Sequence, residues 1–217
     1  MIDLTRQEPF AAGYNRTCYI HPDDPSRCLK VLRPENIERR FARQPWYKKL
    51  LGKTRINDNL QEQAAHSQPA VANGTPLVWA HLPRFYGSEP TTLGPANVSE
   101  LITNPDRTPC ITLEAYLHQH GLDKTIHGAI DRFCRWLRET KILTRNLLPH
   151  NLVVATRQHQ LELYLVDGLG APTVPTALSH SAAYRDRYID RKIQRFGIRI
   201  DWETGGRQGP WASAEKL

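Results

Sequence analysis

Lys30 stands alone among apolar residues in Cys28-Leu29-Lys30-Val31-Leu32, and a cation there is suited to neutralising a phosphate unless it merely snorkels from a strand edge. Far along the chain, Asn151 and Asp167 offer an amide and a carboxylate oxygen. These are the hard donors magnesium takes while leaving the rest of its shell to water and phosphate oxygens. Glu62, within Asn59-Leu60-Gln61-Glu62, is the carboxylate placed to orient Lys30, with Asp58 as second choice. Each signal alone has an ordinary structural reading, since an Asp-Gly after a strand is usually a turn. Their order along the chain is what carries information.

The elements that must position these residues follow from local pattern. Residues 10–20 hold a glycine turn and the β-prone Thr17-Cys18-Tyr19-Ile20, and His21-Pro22-Asp23-Asp24-Pro25 then turns the chain into residues 28–32, which makes a hairpin. Residues 59–68 read as a polar helix stopped by Pro69, and 82–86 and 95–102 as strands. Ile126, Ile130, Phe133, Cys134, Leu137 and Ile142 recur at helical intervals and predict a long amphipathic helix over 125–143. Residues 152–154 and 161–166 are apolar runs of a strand pair, and the tail from Ser179 reads as basic and helical to about Arg195, then irregular.

This order of parts resembles that of a protein kinase. Thr144-Arg145-Asn146-Leu147-Leu148-Pro149-His150-Asn151 falls where the catalytic loop H-R-D-L-K-P-x-N belongs, and Val166-Asp167-Gly168-Leu169-Gly170 where D-F-G belongs. Lys30 takes the place of the V-A-I-K lysine. Phe10-Ala11-Ala12-Gly13-Tyr14-Asn15-Arg16-Thr17 has one glycine, Gly13, where the glycine-rich loop has three. Ala11 still permits close backbone approach, and Arg16 offers positive charge to the phosphates. More specifically, the sequence resembles the bacterial PhoP regulatory network protein YrbL family of small kinase-like proteins. The matching stretches are Gly13-x-x-Arg16-x-Cys18-Tyr19, His21-Pro22-x-Asp24, Arg27-Cys28-x-Lys30-Val31, Leu147-x-Pro149-x-Asn151, and Asp167 with Gly170.

The resemblance runs from about Leu4 to about Ala177 and is weakest in residues 34–55 and in the tail. It implies an α+β, minimal protein kinase-like bilobal fold, with an antiparallel sheet plus helix in the N-lobe (1–104) and a truncated helical C-lobe (105–217). It implies ATP and Mg²⁺ as ligands, with Gly13, Arg16, Lys30 and Glu62 on the nucleotide and Asn151 and Asp167 on the metal. It also implies a link to envelope or divalent-cation stress regulation in bacteria. The chain departs from an active kinase at Asn146, which replaces the catalytic aspartate and cannot accept a proton, and at Leu148, which replaces the catalytic-loop lysine. About fifty residues follow Asp167, too few for the peptide-docking helices of a full kinase. The reading is thus a pseudokinase or an atypical phosphotransferase or nucleotidyltransferase. His150, inside the loop, is a minor candidate for a surrogate base.

Composition bounds the alternatives. At 217 residues, 40% hydrophobic and 24% charged, the chain is globular and long enough to fold without disulfides. Its formal charge of +7 favours phosphate-bearing partners over cationic ones. Residues 34–55 concentrate Arg39, Arg40, Arg43, Lys48, Lys49, Lys53 and Arg55 with Phe41, Trp46 and Tyr47. That mixture suits anionic lipid or lipopolysaccharide, and nucleic acid less well, or else a solvated loop. A basic adaptor without nucleotide chemistry is therefore the competing function. The acidic start of the chain does not read as a secretory signal, and no apolar run reaches about 18 residues, so a cytoplasmic protein, at most peripheral to the inner membrane, is expected. Cys18, Cys28, Cys110 and Cys134 contain no Cys-x-x-Cys pair and read as core thiols. His118, His120 and His127 are assigned no role.

Overall fold

The computed structural model describes residues 1–50, 52–171 and 181–207. The end of the tail and the side chains of Lys48 and Arg55 lie outside the described residues. The chain divides into two compact units: Met1–His66 with Arg84–Leu101, and Ser67–Pro83 with Ile102–Leu217.

Unit 1 is a five-stranded antiparallel sheet in the order β1-β2-β3-β5-β4, made from β1 (Ala11–Ala12), β2 (Arg16–Ile20), β3 (Arg27–Leu32), β4 (Phe85–Thr91) and β5 (Gly94–Glu100). β3 is central, which is why Cys28, Leu29, Lys30 and Val31 are all buried although their side chains alternate between faces. Leu29 and Val31 join Leu4, Tyr19, Ala96 and Val98 in a core on one face. On the other, Lys30 lies between Cys18 of β2 and Asn97 of β5, with which it is directly paired. α3 (Asp58–His66) covers this second face: Asn59 Nδ2 donates to the Lys30 carbonyl at 3.0 Å, and Asn97 Nδ2 donates to the Asn59 carbonyl at 3.0 Å. The segment between β3 and α3 folds as α1 (Pro34–Ala42), the short α2 (Trp46–Lys49) and a 3-10 turn at Lys53–Ile56.

Strand β4 begins three residues later than the apolar pattern of 82–86 predicts. Leu82 is buried and His81 is tied elsewhere, while Gly87 and Pro90, poor strand residues, are tolerated because β4 is an edge. The edge is partly closed by the chain's own start, with Ile2 N donating to the Pro90 carbonyl at 2.9 Å.

Unit 2 contains α4 (Pro69–Ala72), α5 (Leu113–His120), α6 (Lys124–Thr140), α7 (Ala182–Thr204) and the hairpin β6 (Leu152–Arg157)–β7 (Gln160–Leu165). Segment 67–83 belongs here rather than with the sheet. Gln68 Oε1 accepts from Leu143 N at 2.8 Å, Trp136 Nε1 donates to the Leu77 carbonyl at 2.7 Å, and His81 Nδ1 lies 2.7 Å from the Leu163 carbonyl. The division therefore differs from a single cut after residue 104. α6 buries Ile126, Phe133 and Leu137 completely, and Phe133 meets Phe196 of α7 edge-on at 6.5 Å. α5 has no clear periodicity in its eight residues and is instead set by its cap, Thr112, whose hydroxyl accepts from Ala115 N. α7 continues past Arg195 because Phe196, Ile200 and Glu203 extend the buried stripe begun by Tyr188 and Ile189. Among the described residues, no helix is long and apolar enough to cross a membrane.

Candidate functional site

In unit 1, three strands and a helix meet on one carboxylate. Lys30 Nζ donates to Glu62 Oε1 at 2.6 Å, Arg16 Nη1 to Glu62 Oε2 at 2.5 Å, and Asn97 Nδ2 to the same Oε2 at 3.0 Å. Lys30 comes from β3, Arg16 from β2, Asn97 from β5 and Glu62 from α3. The Lys30 and Glu62 side chains are both 8% exposed and Arg16 is 6% exposed, so these charges sit where water screens them little. Burial by itself pushes the Glu62 carboxyl up. The Arg16 and Lys30 charges, with the hydrogen bonds from Lys30 and Asn97, more than offset it and hold Glu62 well below the usual carboxylate range. The two cations and the Asn97 amide thus favour the ionised form of Glu62.

Around this centre, Gln63 Nε2 donates to Asn97 Oδ1 at 2.7 Å, fixing the amide that contacts Glu62. His66, one turn beyond Glu62, stacks on Phe85 with centroids 4.5 Å apart, and its burial lowers its pKa to about 4. Asp58, four residues before Glu62, accepts from Asn15 Nδ2 at 2.6 Å and lies 3.8 Å from Arg40. Gly13 closes the turn between β1 and β2, its N–H donating to the Arg16 carbonyl at 2.8 Å. Cys18 and Cys28 lie on the Lys30 face and are not joined in a disulfide. A hydrogen bond between them, then burial, raises the Cys28 pKa far above that of an ordinary thiol, so it is inert.

In unit 2, the chain around Asn151 and Asp167 is knitted by its own backbone. Val166 N and Asp167 N both donate to the Asn151 carbonyl, at 3.0 and 3.3 Å, and Thr144 pairs with Leu169 in an antiparallel bridge. Asn151 Nδ2 donates to the Asn146 carbonyl at 2.8 Å, leaving Oδ1 as the atom of that amide for a cation. Asp167 Oδ1 accepts from Gly168 N at 2.5 Å, and Arg145 Nη2 stands 3.9 Å from the same oxygen. Gly168 adopts φ +80, and a Cβ there would meet the Asn146 carbonyl oxygen at 2.5 Å and Asn151 Nδ2 at 3.1 Å. Only glycine permits this close approach. The Asn146 side chain itself is exposed, and His150 Nδ1 lies 4.0 Å from Glu114 Oε1 on α5. α7 supports the loop from behind: Tyr188 Oη donates to the Thr144 carbonyl at 2.9 Å, and Lys192 Nζ donates to that of Arg145.

The structure thus joins Lys30, Arg16 and Glu62 in one unit, with Gly13 at the turn beside Arg16, and Asn146, Asn151 and Asp167 in the other. Asn97, Gln63, Tyr188 and Lys192 escape a reading of the sequence, because a polar residue in a strand or helix gives no sign of the partner that tertiary structure brings to it.

A sheet of order β1-β2-β3-β5-β4 whose central lysine pairs with a helix carboxylate, and a unit whose β-hairpin is flanked by an asparagine and an aspartate, define a protein kinase-like fold. A double mutant of the PknI kinase domain of Mycobacterium tuberculosis superposes with a TM-score of 0.50 at 15% identity, over 94% of this chain and 76% of that one. The chain belongs to the PhoP regulatory network protein YrbL family, whose pattern matches residues 2–200. It is 28% identical over 158 residues to YrbL of Escherichia coli strain K12 and to YrbL of Shigella flexneri, an alignment covering 70% of this chain. The chain spans 65% of the length of these curated relatives.

Proposed function

We propose that the protein binds ATP with Mg²⁺ and acts as a pseudokinase or slow atypical phosphotransferase in bacterial envelope or stress regulation. The observation that carries this reading is the buried Lys30–Glu62 pair at 2.6 Å within a kinase-like fold. A carboxylate fixes the direction in which a lysine presents its charge, as coordination of nucleotide phosphates requires. Arg16 strengthens the hold on Glu62 and adds positive charge beside Gly13 and the turn between β1 and β2.

Asn151 Oδ1 and the Asp167 carboxylate are hard oxygen donors on two segments joined by backbone hydrogen bonds, and this donor set fits magnesium, which completes its shell with water and phosphate oxygens. When bound, the ion would neutralise charge on the phosphates. Asn151 is held ready by its bond to the Asn146 carbonyl, and Gly168 keeps Asp167 in register with it.

Asn146 cannot take a proton from an acceptor hydroxyl, and Leu148 supplies no charge to the γ-phosphate. Phosphoryl transfer relies mainly on positioning and electrostatics, and a general base typically contributes ~10²–10⁴-fold, so these two changes favour binding over rapid turnover. The link to regulation rests on the family's name alone.

The test is a thermal-shift titration of the full chain with ATP, with and without Mg²⁺. A ligand at a hundred times its Kd stabilises by about 2.7 kcal/mol, a readily visible shift. Wild type should shift with ATP and Mg²⁺ together, and Lys30→Met and Asp167→Ala much less. Equal shifts in all three would refute the assignment of the site, and no shift in any would leave the basic adaptor as the better account.

A further inference from the structure

Residues 43–50 place three strongly exposed large apolar side chains next to exposed cations. Trp46 is 75% exposed, Tyr47 54% and Leu50 78%. Trp46 and Leu50 are four apart on the α2 turn, where Leu50 N donates to the Trp46 carbonyl, so they share one side, and the Trp46 and Tyr47 rings meet edge-on at 6.2 Å. Isolated exposed apolar residues are common, but three within five residues form a patch that water disfavours. Beside it, Arg39 and Arg43, also four apart, and Lys49 are exposed and make no ion pair among the described residues. The local acids are already taken: Glu35 by Arg33 at 3.0 Å and Glu38 by Lys53 at 2.6 Å.

We infer that this surface docks on an anionic phospholipid bilayer, going beyond the nucleotide reading and independent of it. Charge complementarity names an anionic partner and disfavours a second copy of a chain carrying +7. The choice between lipid and nucleic acid follows from the side chains. Nucleic acid rewards stacking and phosphate contacts, and Trp46 would serve either, but Leu50 gains nothing from a base or a phosphate. At a membrane, Trp and Tyr occupy the headgroup level, Leu enters the acyl boundary, and Arg and Lys meet anionic headgroups. Arg39, Arg43 and Lys49 supply the charge term, and Trp46 and Leu50 the insertion term.

Co-sedimentation of the full chain with vesicles tests this. The chain should sediment with mixed phosphatidylglycerol–phosphatidylcholine vesicles and not with phosphatidylcholine alone, less strongly as salt rises. Removing one cation should weaken partition about fivefold, and Arg39→Gln, Arg43→Gln and Lys49→Gln together ~10²-fold. Trp46→Ala with Leu50→Ala should weaken it at least tenfold while leaving the melting temperature and the ATP shift unchanged, since neither side chain is packed in a core. Absence of binding to the anionic vesicles, or binding indifferent to both sets of substitutions, would overturn the proposal. So would capture of lipopolysaccharide or single-stranded DNA through these residues without phospholipid binding.

Discussion

Arg16 Nη1 and Glu62 Oε2 lie 2.5 Å apart in the interior of the sheet unit, tying β2 directly to α3. Because Lys30 occupies the other carboxylate oxygen, α3 is latched to two adjacent strands through one side chain. A carboxylate buried with two cations is stable only while all three are present, since removing one leaves charge unpaired in a poorly solvated place. Glu62→Ala should therefore destabilise the protein by about 3–5 kcal/mol, read from urea denaturation. The triple replacement Arg16→Met, Lys30→Met and Glu62→Leu should recover most of that loss, because no buried charge remains.

His66 should make stability depend on pH. An unfolded histidine takes its proton near pH 6.5, whereas burial against Phe85 holds His66 at about 4. Between these values the unfolded chain binds more protons, so stability is full above about pH 6.5 and falls as pH drops toward 4. The loss across this window is at most about 3 kcal/mol. Urea midpoints near pH 5 and pH 7.5 should lie closer together in His66→Gln than in wild type. An unchanged gap would mean that other groups set the slope.

Gly168→Ala should be poorly tolerated. Its φ of +80 alone costs an L-residue about 1–2 kcal/mol, and the new Cβ would press on the Asn146 carbonyl at 2.5 Å. A loss of about 2 kcal/mol or more is expected from chemical denaturation, together with weaker Mg²⁺-dependent nucleotide binding, because the same contact displaces Asn151 Nδ2.

How far these features are legible in the sequence depends on the range of the interaction involved. The hairpin of β2 and β3, helix α6 and the β6–β7 pair follow from local periodicity and turn residues. Lys30 is conspicuous because a lone cation in an apolar strand needs a partner. Arg16 is different, since its contact with Glu62 requires β2 to pair with β3 so that Arg16 stands opposite Leu32. A one-residue slip would turn it to the other face, and nothing local specifies that register. The same holds for Asn97, which needs β5 beside β3 before it can reach α3. α5 and the last two turns of α7 escaped local reading because one is too short for a clear period and the other follows a polar stretch.

Asn146→Asp restores the residue type of a general base in the loop. A working base contributes ~10²–10⁴-fold, but with Leu148 unchanged no cation serves the γ-phosphate, so the rise in ATP hydrolysis should stay below about tenfold. Radiolabelled ATP turnover by wild type, Asn146→Asp and the double variant Asn146→Asp with Leu148→Lys separates the two contributions. The double variant should gain more than the single one.

Isothermal titration of the full chain with ATP tests the central claim most directly, performed with Mg²⁺, with the metal chelated, and on Asp167→Asn. Saturable binding to one site should appear with Mg²⁺, weakening at least tenfold on chelation and in Asp167→Asn, a loss of about 1.4 kcal/mol. Binding of equal affinity in all three, or no binding in any, would contradict the account.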